Sequence, residues 1–333
     1  MKLNIEQIRA ITFGAVKIEE IDGGIHFNRF TEAQEEYYKN QTYNKGFYGK
    51  VFSTAGIRLE FVTNSRTLSL TIEARQTPTT VTRKFFYASV YCNGEKLGCI
   101  GSQSVTDGIF DGSYTLPEGE NTVCVYLPWG VIAILHELTL DDGATIVPAK
   151  KKCKMLQYGD SITHGYDALE PQNSYASIVA DAFLADARNK AIGGEIFQPI
   201  LATLPDEDFD PDYITVAYGT NDWSHSDRET LARDCAAFYH NLAACYPKAK
   251  IFALAPIWRG SENEARPSGP FRDVVNVIRD AVADLPCVTV IDAYDFVPKD
   301  PACFSPDLLH PSDAGFLHYG RNLVAALKPF IKI

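Results

Sequence analysis

Two patterns of apolar and polar positions divide this chain. Over roughly the first 145 residues the pattern has period two. Gly56-Ile57-Arg58-Leu59-Glu60-Phe61-Val62 and Thr67-Leu68-Ser69-Leu70-Thr71-Ile72 alternate apolar and polar side chains, as half-buried strands do. Phe86 to Cys92 and Lys96 to Ile100 flank Asn93-Gly94, the dipeptide preferred in two-residue hairpin turns. Asn121 to Leu127 and Val131 to Leu140 add two strands around the turn Pro128-Trp129-Gly130. No helical period stands out here. Many short strands with frequent turns predict an antiparallel sandwich of jelly-roll type.

Near Asp141-Asp142-Gly143 the pattern changes, and Pro148-Ala149-Lys150-Lys151-Lys152 reads as a linker. We therefore expect two domains, 1–147 and 148–333. In the second, predicted strands Cys153–Tyr158, Ala187–Ile192, Tyr213–Ala217, Ile251–Leu254 and Val288–Ile291 alternate with amphipathic helices. Tyr175, Ile178, Val179, Ala182 and Phe183 share one helical face behind Ser174 as cap. Leu231, Cys235, Phe238 and Leu242 mark a second helix, and Val274, Val277, Ile278, Ala281 and Val282 a third. Ser312 caps a last one bearing Phe316, Tyr319, Leu323 and Leu327. This alternation predicts an α/β fold, a parallel sheet covered on both faces.

Composition narrows the function. With 333 residues, 46% apolar and 22% charged, the chain can bury a large core. A formal charge of -11 argues against nucleic acid or an anionic membrane as partner, while a small neutral molecule meets no such penalty. A homo-oligomer is compatible with the sequence. The start Met1-Lys2-Leu3-Asn4-Ile5-Glu6 lacks the apolar run of a secretory signal. The eight cysteines sit mostly in apolar runs, where reduced thiols are the commoner case, so the expected compartment is the cytoplasm. No Cys-x-x-Cys pair points to zinc.

Candidate chemistry sits where strands of the second domain give way to loops, on the side where open parallel sheets bind ligands. Ser161 follows the first strand within Gly159-Asp160-Ser161. A serine hydroxyl needs a base, and His310 in Asp307-Leu308-Leu309-His310-Pro311 is the candidate. The spacing lets one turn present Asp307 to one ring nitrogen while the other faces Ser161. Candidate oxyanion donors are the backbone N–H groups of Ser161 and Gly194, with Gly193 adjacent, and the side-chain amide of Asn221 in Gly219-Thr220-Asn221-Asp222. Each has an ordinary alternative when taken alone: a helix cap, a surface histidine, a tight turn. The ordered set is the argument.

Those four blocks, Gly159-Asp160-Ser161-Ile162, Asn189-x-x-x-x-Gly194, Gly219-x-Asn221-Asp222 and Asp307-x-x-His310, resemble those of the SGNH hydrolases, the GDSL-type esterases and lipases. The resemblance implies a flavodoxin-like three-layer α/β/α domain. It implies Ser161 as nucleophile, His310 as base, Asp307 as its orienter, and Ser161, Gly194 and Asn221 as the oxyanion hole. It requires no cofactor and no metal. A β-sandwich ahead of such a domain is similar to carbohydrate acetyl esterases and to related acyltransferases. Those polysaccharide esterases are usually exported, so for this chain a small acetylated sugar is the better expectation.

Around the site, Trp223, Trp258 and Arg259 are candidate substrate-binding residues on the surrounding loops. Arg259 has an alternative partner in Glu262-Asn263-Glu264, and Trp129 is a further candidate for reaching the site. His164 and His225 read as surface histidines. The expected activity is hydrolysis of a short-chain ester, with acyl transfer by the same residues as the nearest rival. A non-catalytic carbohydrate-binding protein is the rival from another class.

Overall fold

The computed structural model describes residues 1–104 and 107–332. They form two compact units. The chain does not divide at one point after residue 147. The first unit holds Met1–Thr31, Tyr48–Lys151 and Leu169–Gln172, and the second holds Glu32–Phe47, Lys152–Ala168 and Asn173–Ile333. Among the described residues no helix is long and apolar enough to cross a membrane.

The strands of the first unit are β1 (Thr12–Phe13), β2 (Lys17–Ile21), β3 (Gly24–Asn28), β4 (Arg58–Thr63), β5 (Thr67–Arg75), β6 (Phe86–Cys92), β7 (Glu95–Ser102), β8 (Gly108–Thr115), β9 (Asn121–Tyr126), β10 (Ile132–Leu140) and β11 (Val147–Pro148). They make two antiparallel sheets, β1-β4-β9-β6-β7 with β11 beside β4, and β2-β3-β10-β5-β8. The alternation read in the sequence explains the packing. Leu59, Phe61, Val123 and Val125 of one sheet and Leu68, Leu70, Ile72 and Leu135 of the other share a single core. Asn93 and Gly94 turn the β6–β7 hairpin at φ +53° and +83°, as a type I′ turn requires.

Two expectations fail here. The linker is not free: Val147–Pro148 pairs with β4, and Lys151 forms an ion pair with Glu60. Helices also occur where no period was legible. These are α1 (Ile5–Ile11), α2 (Glu32–Asn40) and α3 (Gly46–Val51). The first carries a local signal, a capping box between Asn4 and Gln7. The other two are short or mostly polar and are held by tertiary contacts.

The second unit has strands β12 (Cys153–Gly159), β13 (Ala185–Asn189), β14 (Tyr213–Ala217), β15 (Lys250–Ala255) and β16 (Val288–Asp292). All pair in parallel, in the order β13-β12-β14-β15-β16. That is the 2-1-3-4-5 order of flavodoxin-like sheets. Its helices are α4 (Ser161–His164), α5 (Tyr175–Ala182), α6 (Thr220–His225), α7 (Arg228–Cys245), α8 (Val274–Ala281) and α9 (Asp313–Leu327). Successive strand residues face opposite sides. Leu156, Val216, Ile251 and Ala253 meet Leu231, Phe238 and Ile278 of α7 and α8. Met155, Phe252 and Leu254 meet Val179, Phe316 and Leu323 of α5 and α9. Three layers result. Strand β13 starts and ends earlier than the predicted Ala187–Ile192, because the chain leaves the sheet after Asn189.

Candidate active site

The site lies at the carboxyl ends of β12, β13 and β14, beside the point where the strand order reverses. Each residue of Gly159-Asp160-Ser161 has a separate local task. A Cβ at Gly159 would stand 2.0 Å from Thr163 Oγ1, so only glycine lets α4 fold back this closely. Asp160 caps α4 by accepting from the Ile162 N–H at 2.9 Å. Ser161 is the first residue of α4, where backbone N–H groups have no partner within the helix.

Ser161 Oγ lies 2.7 Å from His310 Nε2, and His310 Nδ1 lies 2.6 Å from Asp307 Oδ2. The turn Asp307-Leu308-Leu309-His310 is locked by its own backbone. Asp307 Oδ1 accepts from the N–H groups of Leu309 at 2.9 Å and His310 at 3.0 Å. Leu308 takes φ +50°, a left-handed conformation that costs a side-chain-bearing residue free energy. The Gly260 N–H donates to the Leu308 carbonyl at 2.8 Å and helps hold that conformation. Burial alone would raise the Asp307 carboxyl. The His310 hydrogen bond and charge and the two backbone donors outweigh it and hold the group well below the usual carboxylate range.

Asn221 is on the first turn of α6, and its Nδ2 donates to the Glu195 carbonyl at 2.9 Å. That ties α6 to the loop bearing Gly194, which sits at φ +93°. An amide nitrogen has two hydrogens, so one remains for an oxyanion. Asn189 serves the site from behind. Its Nδ2 donates to the Thr163 carbonyl at 2.8 Å, linking β13 to α4.

The candidate substrate residues fare differently. Trp223 is corrected: it is 0% exposed, inside the core, with Nε1 on the Gly269 carbonyl at 2.8 Å. Trp258 is half-buried, edge-on to Phe304 and bonded through Nε1 to Glu262 at 2.8 Å. Arg259 holds Thr220 and Ser224 of α6 at 2.9–3.1 Å and Ser261 at 2.8 Å, with Glu262 taken by Trp258. It thus braces the helix that carries Asn221. Trp129 is buried within the first unit, edge-on to Phe85. His225 is exposed, but His164 is buried against Tyr166 rather than on the surface.

Several residues near the centre carry no sequence signal. The Tyr166 ring stacks on His310, with centroids 5.8 Å apart. Asp167, at φ +69°, brings Oδ2 to 3.8 Å from His310 Nδ1. Asp167, Asp307 and His310 together are a potential metal-ligand set. The 2.6 Å between His310 Nδ1 and Asp307 fits a hydrogen bond better, since two ligands on one zinc ion stand roughly 3.3 Å apart. Two buried acids flank the site. Burial pushes Asp160 up to about 6, against the Ile162 donor and the charges of His310 and Arg259. Burial pushes Asp222 up to about 7, although Phe197 and Gly219 donate to it from the backbone.

Residues 158–316 match the model of the GDSL-like Lipase/Acylhydrolase family. No curated protein matches the chain significantly. Among solved structures, a salicylyl-acyltransferase from a tetracycline biosynthetic pathway is 22% identical with a TM-score of 0.81, covering 96% of this chain and 95% of that one. A putative GDSL-like lipase from Bacteroides ovatus is 18% identical with a TM-score of 0.76, covering 99% and 97%. A family two carbohydrate esterase from Cellvibrio japonicus is 16% identical with a TM-score of 0.68, covering 99% and 97%. Segment 158–316 thus matches the GDSL-like lipase/acylhydrolase family, as an SGNH-type hydrolase domain would, in a chain similar in fold to a GDSL-like lipase and a carbohydrate esterase.

Proposed function

We propose that the protein is a serine esterase that removes a short acyl group, acetyl on a small sugar, through an acyl-serine intermediate. The relay Ser161–His310–Asp307, with bonds of 2.7 and 2.6 Å, is the observation that carries this reading. Ser161 Oγ attacks the ester carbonyl carbon and gives its proton to His310 Nε2. The developing oxyanion is met by the N–H groups of Ser161 and Gly194 and by Asn221 Nδ2. His310 returns the proton to the leaving alcohol, and Asp307 stabilises the imidazolium meanwhile. Water then adds to the acyl-serine with His310 again as base. No cofactor or metal takes part in this scheme.

Acyl transfer is the second reading, favoured by the likeness to the salicylyl-acyltransferase. It uses the same residues, and only the acceptor differs. For the first unit we propose a jelly roll. Strands β3, β10, β5 and β8 lie in one sheet and β4, β9, β6 and β7 in the other, an order that supports two interleaved Greek keys. The cytoplasm is the proposed compartment.

Ser161→Ala tests the reading. Turnover of a chromogenic acetate is expected to fall by about three orders of magnitude or more. Unchanged turnover would move catalysis elsewhere. Product partition with and without sugar or amine acceptors separates the two chemistries, and a predominance of transferred acyl product selects the second.

A further inference from the structure

Segment 32–47 lies early in the chain yet folds with the second unit. It is pinned to the loop behind the oxyanion donors. Gln34 bonds Asp206 at 2.9 Å, the Leu204 carbonyl at 2.7 Å and Lys190 at 3.1 Å. Tyr37 bonds Gln198, which in turn bonds Glu195. Beyond α2 the chain forms a braced loop. Gln41 Oε1 accepts from the Asn44 N–H at 3.0 Å, and Gln41 Nε2 donates to the Asn44 carbonyl at 2.6 Å. Asn44 Oδ1 accepts from the Gly46 N–H at 2.9 Å.

This loop brings the Phe47 ring to Gly194 and sets a second ring, Tyr43, against it. Phe47 is 0% exposed, and a Cβ added at Gly194 would stand 3.3 Å from its ring. Tyr43 tilts against Phe47, with centroids 5.8 Å apart. Tyr43 is 45% exposed and is the one aromatic ring among the large exposed apolar side chains of the described residues. Burial first, and then the charges of Asp222 and Glu195, raise its phenol.

We propose that Tyr43 is the platform on which the sugar part of the ester stacks, a specificity-determining residue that rests on the esterase reading above. A small acetyl group needs little more than the donors around Ser161. The larger, hydrated alcohol part needs an open apolar face at the rim, and Tyr43 offers that face on a backbone held by Gln41 and Asn44. Phe47 sets its distance from Gly194.

The test compares an O-acetylated methyl glucoside with ethyl acetate, which has no ring to stack. In Tyr43→Ala, KM for the glucoside ester is expected to rise about tenfold, the equivalent of about 1.4 kcal/mol, with kcat within about twofold. Ethyl acetate kinetics should stay at the wild-type value, which also reports an intact fold. Tyr43→Phe should restore wild-type KM. An unchanged KM in Tyr43→Ala, an equal effect on ethyl acetate, or no wild-type turnover of the glucoside ester overturns the platform. Full activity of Ser161→Ala would instead remove the esterase reading itself, and this proposal with it.

Discussion

Replacing Asp307 by asparagine is expected to harm turnover more than replacing it by alanine. Asp307 Oδ1 accepts from two backbone N–H groups, and Oδ2 faces His310 Nδ1. In Asp307→Asn the amide oxygen has to stay with the two backbone donors, because an NH2 group there would meet two N–H groups. The amide nitrogen then faces Nδ1 and donates to it. That bond selects the tautomer whose proton sits on Nε2, aimed at Ser161 Oγ 2.7 Å away. The base is lost to the nucleophile. In Asp307→Ala the ring keeps both tautomers, and the counter-charge goes together with the acceptor for the Leu309 and His310 N–H groups, which solvent can replace. Two unit charges about 4 Å apart are worth about 4 kcal/mol at an effective dielectric of 20. The Asp307 side chain is 42% exposed, so solvent screening brings this to about 2–3 kcal/mol. The alanine variant should therefore lose about 30- to 150-fold in kcat. The asparagine variant should approach about 10⁴-fold, the cost of a wrong tautomer. The assay is kcat on a chromogenic acetate with thermal melts of both variants. An asparagine variant as active as the alanine variant, both folded, would refute the tautomer argument.

Three other predictions concern the scaffold. Gly194→Ala puts a side chain on a φ of +93° with Phe47 at 3.3 Å; it should cost about 1–2 kcal/mol in urea unfolding and, by shifting an oxyanion donor, about 10- to 100-fold in kcat. Asp206→Asn removes the charge that faces Lys190 at 2.7 Å, both side chains being 0% exposed; a loss of about 3–5 kcal/mol is expected, and a change below about 1 kcal/mol would mean the pair is not what holds α2 in place. Asp222 titrates near 7 when folded and near about 3.9 when unfolded, so between those values the native state keeps a proton that the unfolded chain has released. Its contribution is thus fully present below about pH 4, is lost as pH rises to about 7, and is flat above, with an upper bound of about 4 kcal/mol. Asp160, raised to about 6, acts in the same direction. Urea midpoints at about pH 5 and about pH 8 read this slope, which Asp222→Asn should flatten.

Much of the fold was legible because it depends on near neighbours. Ser174 and Ser312 cap α5 and α9, the turn Asn93-Gly94 makes its hairpin, and the apolar faces of α7, α8 and α9 are buried where their periodicity put them. The four site blocks were legible for the same reason: Gly159, Asp160 and Asp307 do work on atoms within a few residues of themselves. Trp223 was misread because its neighbours Gly269 and Phe271 lie more than forty residues away, and nothing local distinguishes a buried loop-adjacent tryptophan from an exposed one. Helix α2 was missed because a mostly polar segment is held by Lys190 and Asp206, far along the chain.

Sequence alone thus determined the inventory of this protein: two kinds of periodicity, and a candidate nucleophile, base, acid and set of oxyanion donors, each with its local turn. Tertiary structure alone decided which of those groups meet, and that Phe47, with Tyr43 against it, packs beside Gly194. The reason is physical. Caps and turns are satisfied by bonds across three or four residues, whereas the 2-1-3-4-5 strand order that makes neighbours of the strands leading to Ser161, Gly194 and Asn221 arises from burying both faces of one sheet, a requirement no short segment carries.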